Sequence, residues 1–194
     1  MSKHASEFAG LPVDTADENA LLRAALAEAQ QRIAQLEAKA DLDGVTPLPG
    51  AGRFRTELER VTGLAHRHGT PAAVVGIALT NLAALREAHG HFAGDAALVH
   101  VARLLCGLIR STDILARTGD GEFGLILDHL DLDSAIDAAE RLGRCIESHP
   151  LDLGHVRVPL TAAVATTGIL AGDTANDVQA RARAALARAA SSKG

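Results

Sequence analysis

In Ala116-Arg117-Thr118-Gly119-Asp120-Gly121-Glu122-Phe123, residues 118–121 stand between two short runs, residues 113–117 and 122–127. The Asp120-Gly121 pair supplies residues that tolerate the positive φ of a tight turn, so the stretch predicts a β-hairpin. Upstream of it, the apolar pattern predicts a helix over 51–68, a buried strand over 72–79, and helices over 81–89 and 93–110. Downstream, it predicts a helix over 131–148, a strand over 155–167 and a closing helix over 174–190, with Thr174 and Asp177 reading as a helix start. Strands alternating with helices predict an α/β (α+β) domain, a central mixed sheet flanked by helices.

The N-terminal part has a different character. Residues 1–14 read as a flexible tail, and a long helix over 15–42 follows. In it Leu22, Leu26, Ala29, Ile33, Leu36 and Ala40 recur at spacings of four and three, a heptad seam. A parallel coiled-coil homodimer covers such a seam; a helix folded back on its own domain is the alternative. Gly44, Pro47, Pro49, Gly50 and Gly52 break the helix, and the globular domain is expected over 43–194.

Composition narrows the function. The chain has 194 residues, 47% of them hydrophobic, enough for a buried core. A net charge of −5, with no Trp, no Tyr and four Phe, argues against nucleic-acid binding by a basic surface or by base stacking. No apolar run spans a bilayer, and residues 1–7 show no signal region, so a cytoplasmic protein without membrane insertion is expected. Cys106 and Cys145 read as buried reduced thiols. His89, His91 and His100 lack zinc-site spacing, and no metal or cofactor is expected.

Three motifs lie in order along the domain: Asp43-Gly44-Val45-Thr46-Pro47-Leu48-Pro49, Gly90-His91-Phe92-Ala93-Gly94-Asp95, and the hairpin itself. Together they resemble the opening D-x-L-T-G-L-P, the G-H-x-x-G-D and the signature A-R-x-G-G-D/E-E-F of the GGDEF family, the diguanylate cyclases, over the whole of 43–194. The resemblance implies an activity, joining two GTP molecules into cyclic di-GMP with divalent metals held by carboxylates. It also implies that this chain lacks the catalytic parts. The first aligned carboxylate position is Ala78 and the second is Gly121; neither side chain can bind a metal or act as a base. Asp120 is one residue out of place. The aligned guanine-contacting Asn is Arg86, a donor only, while Asp95, the second guanine contact, remains. The aligned phosphate-binding Lys falls at Ala190, with Lys193 close by.

What survives is Arg110-Ser111-Thr112-Asp113, whose spacing from the hairpin resembles the family's R-x-x-D product-binding site. A guanidinium can donate to guanine O6 and N7, and a carboxylate can accept from the opposite guanine edge. Arg141 falls where the family's secondary inhibitory-site Arg lies. The bland readings are a helix-terminal Arg110, an Asp113 entering a strand, and a solvated Arg141. The expectation is a non-enzymatic cyclic di-GMP receptor or adaptor with a protein partner. The alternative is a ligand-independent scaffold built on the same domain.

Overall fold

The computed structural model describes residues 22–28 and 42–192 of the chain. The chain divides after Lys39. In the first part, residues 22–28 are helical, with Leu22 and Leu26 exposed. The tail over 1–14 and the rest of the heptad seam lie outside the described residues.

The second part is built around one strand. β1 (Ala72–Leu79) is apolar at every position except Gly76, and all but Ala78 of its residues are buried, as expected of a central strand covered on both faces. It pairs with β3 (Glu122–Asp128) on one side and β6 (Ala162–Gly168) on the other, and β2 (Ile114–Arg117) completes the sheet in the order β2-β3-β1-β6. Side chains alternate across it. Ala73, Val75, Ile77 and Leu79 of β1, with Phe123, Leu125 and Leu127 of β3, face α2 (Leu82–His89), α3 (His91–Cys106) and α4 (Leu132–Ser148). Ala72, Val74 and Ile126 face α1 (Ala51–His68) and α5 (Ala175–Ser191). Phe123, Ile77 and Leu98 are fully buried, and each contributes about 1.5–3 kcal/mol of apolar burial.

Local chemistry sets the helix ends. Asp131 caps α4 by accepting from the Ser134 N–H at 2.9 Å. Thr174 and Asp177 form a reciprocal capping box at α5, as the sequence predicts. Gly69, at φ 63°, closes α1 in the left-handed conformation.

The α/β architecture agrees with expectation, but four details differ. The sheet is antiparallel throughout rather than mixed: each helical crossover returns to a strand of the same direction but skips one position, leaving an opposed strand between. The strand expected over 155–167 is divided. β5 (Arg157–Val158) pairs with β4 (Leu151–Asp152) in a separate hairpin, and Pro159, which has no N–H to donate, follows it before β6 begins. Helix α3 stops at Cys106 with Gly107 as its cap, so Arg110 is a loop residue and not a helix terminus. Finally, the β2–β3 turn closes through Thr118 N–H to the Glu122 carbonyl at 2.9 Å without positive φ at Asp120 or Gly121.

Candidate functional site

The hairpin positions two distinct regions, one at each end of β2. At the turn end, Gly121 lies against the end of β1. Its carbonyl accepts from the Leu79 N–H at 2.9 Å, and a Cβ built on it would stand 3.0 Å from Leu82 Cδ2. A side chain there would need Leu82 to give way by a few tenths of an ångström, and the glycine's φ is ordinary. Ala78 lies in register with Glu122 of β3 and Ala163 of β6. A divalent cation needs several oxygen ligands. Here residues 78 and 121 offer none, buried Leu82 fills the space beside Gly121, and no group of three ligating side chains exists among the described residues. The donor set does not fit a divalent cation.

Charged groups instead form a ladder across this end. Arg86 on α2 grips Asp120 in the turn, Nη1 to Oδ2 at 2.5 Å and Nη2 to Oδ1 at 2.8 Å. The guanidinium hydrogen bonds hold the Asp120 carboxyl below the usual carboxylate range, and Asp120 in turn raises the Arg86 pKa. The Arg86 side chain runs over Gly94, where any Cβ would lie 2.5 Å from its Cγ. The neighbouring Asp95 is half-buried, and its charge also acts on Arg86. Arg117 Nη2 donates to the Asp120 carbonyl at 2.8 Å, and Arg117 Nη1 donates to Asp43 Oδ1 at 2.9 Å. Asp43 also accepts from Val45 and Thr46, closing the turn at the start of the domain. The sequence motifs mark Asp43, Arg117 and Asp95 singly; their connection through Arg86 and Asp120 has no local signal.

At the other end of β2, Arg110 and Asp113 shape their own loop. The Arg110 N–H donates to Asp113 Oδ2 at 2.9 Å, and the Asp113 N–H donates to the Arg110 carbonyl at 3.1 Å. Beside this loop lies a cavity of about 280 Å³ lined by Arg110, Asp113 and, from α4, Arg141. The three residues singled out as a binding group thus converge on one space. Asp128 and Asp137 line it too, and sequence reasoning passed over both. Asp137 had a readable signal: it precedes Arg141 by four, which places the two on one helix face.

Other candidates are not brought together. Asp95 is on α3 at the turn end, and Ala190 is half-buried on α5; Lys193 is outside the described residues. His89 and His91 are exposed, while His100 Nε2 lies 3.0 Å from the His149 carbonyl oxygen. The cysteines are free, but not buried as expected. Cys106, the last residue of α3, is exposed and Cys145 is half-buried; partial burial still pushes the Cys106 thiol pKa up. No described helix is long and apolar enough to cross a membrane.

Comparison with known proteins agrees with this fold. The family model described as "Diguanylate cyclase, GGDEF domain" matches residues 40–194. The probable diguanylate cyclase DgcE of Escherichia coli is 35% identical over 119 residues, which is 59% of this chain and 10% of DgcE. The chain likewise spans only 20% of MucR and 23% of TpbB, two Pseudomonas aeruginosa relatives. Among solved structures, the P. aeruginosa diguanylate cyclase SiaD, in complex with its activator SiaC, superposes with a TM-score of 0.75 at 26% identity, covering 90% of this chain and 68% of SiaD. The coiled coil and GGDEF domain of Caulobacter crescentus DgcB, in complex with c-di-GMP, shares the fold with a TM-score of 0.77 at 21% identity, covering 93% and 95%. The GGDEF signature elements, their order and these similarities lead to one conclusion: the chain belongs to the GGDEF, diguanylate cyclase, family.

Proposed function

We propose that this chain is a GGDEF domain that no longer joins GTP and instead binds cyclic di-GMP as a receptor or adaptor. The observation that carries the reading is the cavity into which Arg110, Asp113 and Arg141 converge from two separate elements. Arg110 and Arg141 offer planar donors for guanine O6 and N7, and Asp113 keeps Oδ1 available as an acceptor while Oδ2 holds the loop. The complexes of DgcB with c-di-GMP and of SiaD with SiaC support a cyclic dinucleotide ligand and a protein partner for this chain.

Loss of catalysis rests on the turn end. Ala78 and Gly121 carry no carboxylate, Leu82 occupies the space beside Gly121, and Arg86 stands where the resemblance implies a guanine acceptor and is committed to Asp120. Such a site cannot hold the metal that supplies phosphoryl-transfer chemistry. The heptad pattern, with Leu22 and Leu26 exposed on a helix, supports a coiled-coil homodimer that passes the bound state to the partner in the cytoplasm.

Calorimetry with cyclic di-GMP tests the receptor. Wild type is expected to bind and Arg110→Ala to lose binding. No heat with wild type would leave the scaffold reading in its place. Incubation with GTP and magnesium is expected to yield no cyclic di-GMP; turnover like that of an active relative would overturn the reading of Ala78 and Gly121.

A further inference from the structure

We propose that β6 is a self-association surface: two copies of the chain pair their β6 strands antiparallel about Ala165 and join their sheets edge to edge. The surface shares no residue with the Arg110 cavity and does not depend on the receptor reading.

The two edges of the sheet differ. β2 ends in Arg117, whose N–H donates to the Pro49 carbonyl at 2.9 Å, so the entry segment covers that edge there. β6 has only β1 beside it. Its inward hydrogen bonds belong to alternate residues. The Ile169 N–H donates to the Ala72 carbonyl and the Thr80 N–H to the Thr161 carbonyl, both at 2.9 Å, and the register carries this pattern through Ala163, Ala165 and Thr167. Val164 and Thr166, between them, therefore turn N–H and C=O outward. Gly168 confirms the direction, since its carbonyl accepts from Arg181 Nη2 at 2.8 Å. No backbone partner meets the outward groups of Val164 and Thr166 among the described residues.

An open edge is a template for another strand, and proteins usually blunt it with charge, proline or a bulge. Ala162-Ala163-Val164-Ala165-Thr166-Thr167-Gly168 carries no charge and no proline, and its register with β1 is unbroken. Exposed apolar side chains gather at one end of it. Leu132 lies beside Gly168, Ile136 follows Leu132 by one turn of α4, and Leu170 stands two residues past the strand. Apolar groups clustered in this way mark a surface that a partner covers.

The edge is its own complement. With a two-fold axis at Ala165, Val164 of one copy faces Thr166 of the other, and each N–H meets a carbonyl. The residue on the axis is alanine, small enough for the Cα approach of about 4.5 Å in a non-hydrogen-bonded pair. A strand from an unrelated protein has to supply this spacing by itself; a second copy has it already.

The test reads the full chain in two ways. Sedimentation at rising concentration is expected to show the mass doubling over its dilute value, whatever association the N-terminal heptads have already set. Thr166→Pro removes an N–H that the chain itself does not use, so in dilute solution it should melt like wild type, yet it should keep the dilute mass at every concentration. Ala165→Pro removes an N–H directed at Gly76 and should lose stability instead. Equal stability losses for the two prolines would overturn the assignment of the outward residues and the proposal with it. Amide hydrogen exchange in wild type gives a readout that needs no variant to fold. Val164 and Thr166 should exchange fast in dilute solution and slow down as the mass rises, with Ala163 and Ala165 protected throughout. Fast exchange at Val164 and Thr166 at every concentration overturns self-pairing and leaves the edge to water or to a strand of another protein. So does a folded Thr166→Pro chain that associates as wild type does.

Discussion

Replacing Asp43 by Ala removes four contacts at once: the Val45 N–H at 3.1 Å, the Thr46 N–H at 2.6 Å, the Thr46 hydroxyl at 2.9 Å and Arg117 Nη1 at 2.9 Å. The Asp43 and Arg117 side chains are only 13% and 12% exposed, and the Arg117 Nε is already buried without a partner. Removing one member of a buried pair costs about 3–5 kcal/mol, because the other charge is left uncompensated. Arg117 would keep the Asp120 carbonyl at 2.8 Å, so the cost belongs at the lower end, about 3 kcal/mol. In a chain of this size that is a fall in Tm of roughly 6–12 °C. Asp43→Asn retains an acceptor for the turn but no charge, and should fall between wild type and Ala. The assay is equilibrium urea unfolding at fixed protein concentration, since self-association would shift the midpoint.

The same residue carries a pH signature. Burial raises the Asp43 pKa, but the Thr46 and Val45 hydrogen bonds and the Arg117 charge outweigh it, and the net shift is downward. A carboxylate with a lowered folded-state pKa stabilises fully above its unfolded value, about 3.9, and loses that contribution as pH falls through the folded value. The gap between wild type and Asp43→Ala should therefore be constant near neutrality and narrow below about pH 4. A loss under about 1 kcal/mol, or equal losses for Ala and Asn, would refute the picture of a buried charge joined to a turn.

Two further predictions concern the hairpin. Gly124→Ala places a Cβ 2.7 Å from two ring carbons of buried Phe54 and 2.9 Å from Thr118 Cγ2; it should cost about 1–3 kcal/mol in urea unfolding, and a neutral outcome would show that α1 can shift off the sheet. Arg86 and Asp120, with the acid 72% exposed, should show a double-mutant coupling of only about 0.5–1 kcal/mol that shrinks with salt. Because Arg86 lowers the Asp120 pKa, that coupling should be present at neutral pH and vanish once the carboxyl is protonated below about pH 4.

Helix and strand existence was legible because burial imposes a period that neighbouring residues report. Boundaries were less so. The apolar pattern carries the α3 helix on to Arg110, but Gly107 ends it after Cys106. That shift matters: it frees Arg110 from a helix end and lets its backbone exchange hydrogen bonds with Asp113. The Asp-Gly pair correctly marked a turn but for the wrong reason. Gly121 has an ordinary φ and lies close to Leu82 and Leu79, a tertiary approach that no turn propensity encodes.

Sequence alone determined that Ala78 and Gly121 offer no carboxylates, that Gly121 stands in a hairpin turn just downstream of Arg110 and Asp113, and that a helix-covered sheet carries both. Those facts depend on residue identity and on local periodicity. Only the tertiary structure decided which charges meet. Arg86 and Asp120 are 34 residues apart and Asp43 and Arg117 are 74 apart, and their pairing follows from how α2, the turn and the entry segment pack. The same holds at the cavity, where α4 brings Arg141 and Asp137 to the loop of Arg110 and Asp113. A side chain's chemistry is written in the chain, but its partner is chosen by the packing of elements distant in sequence.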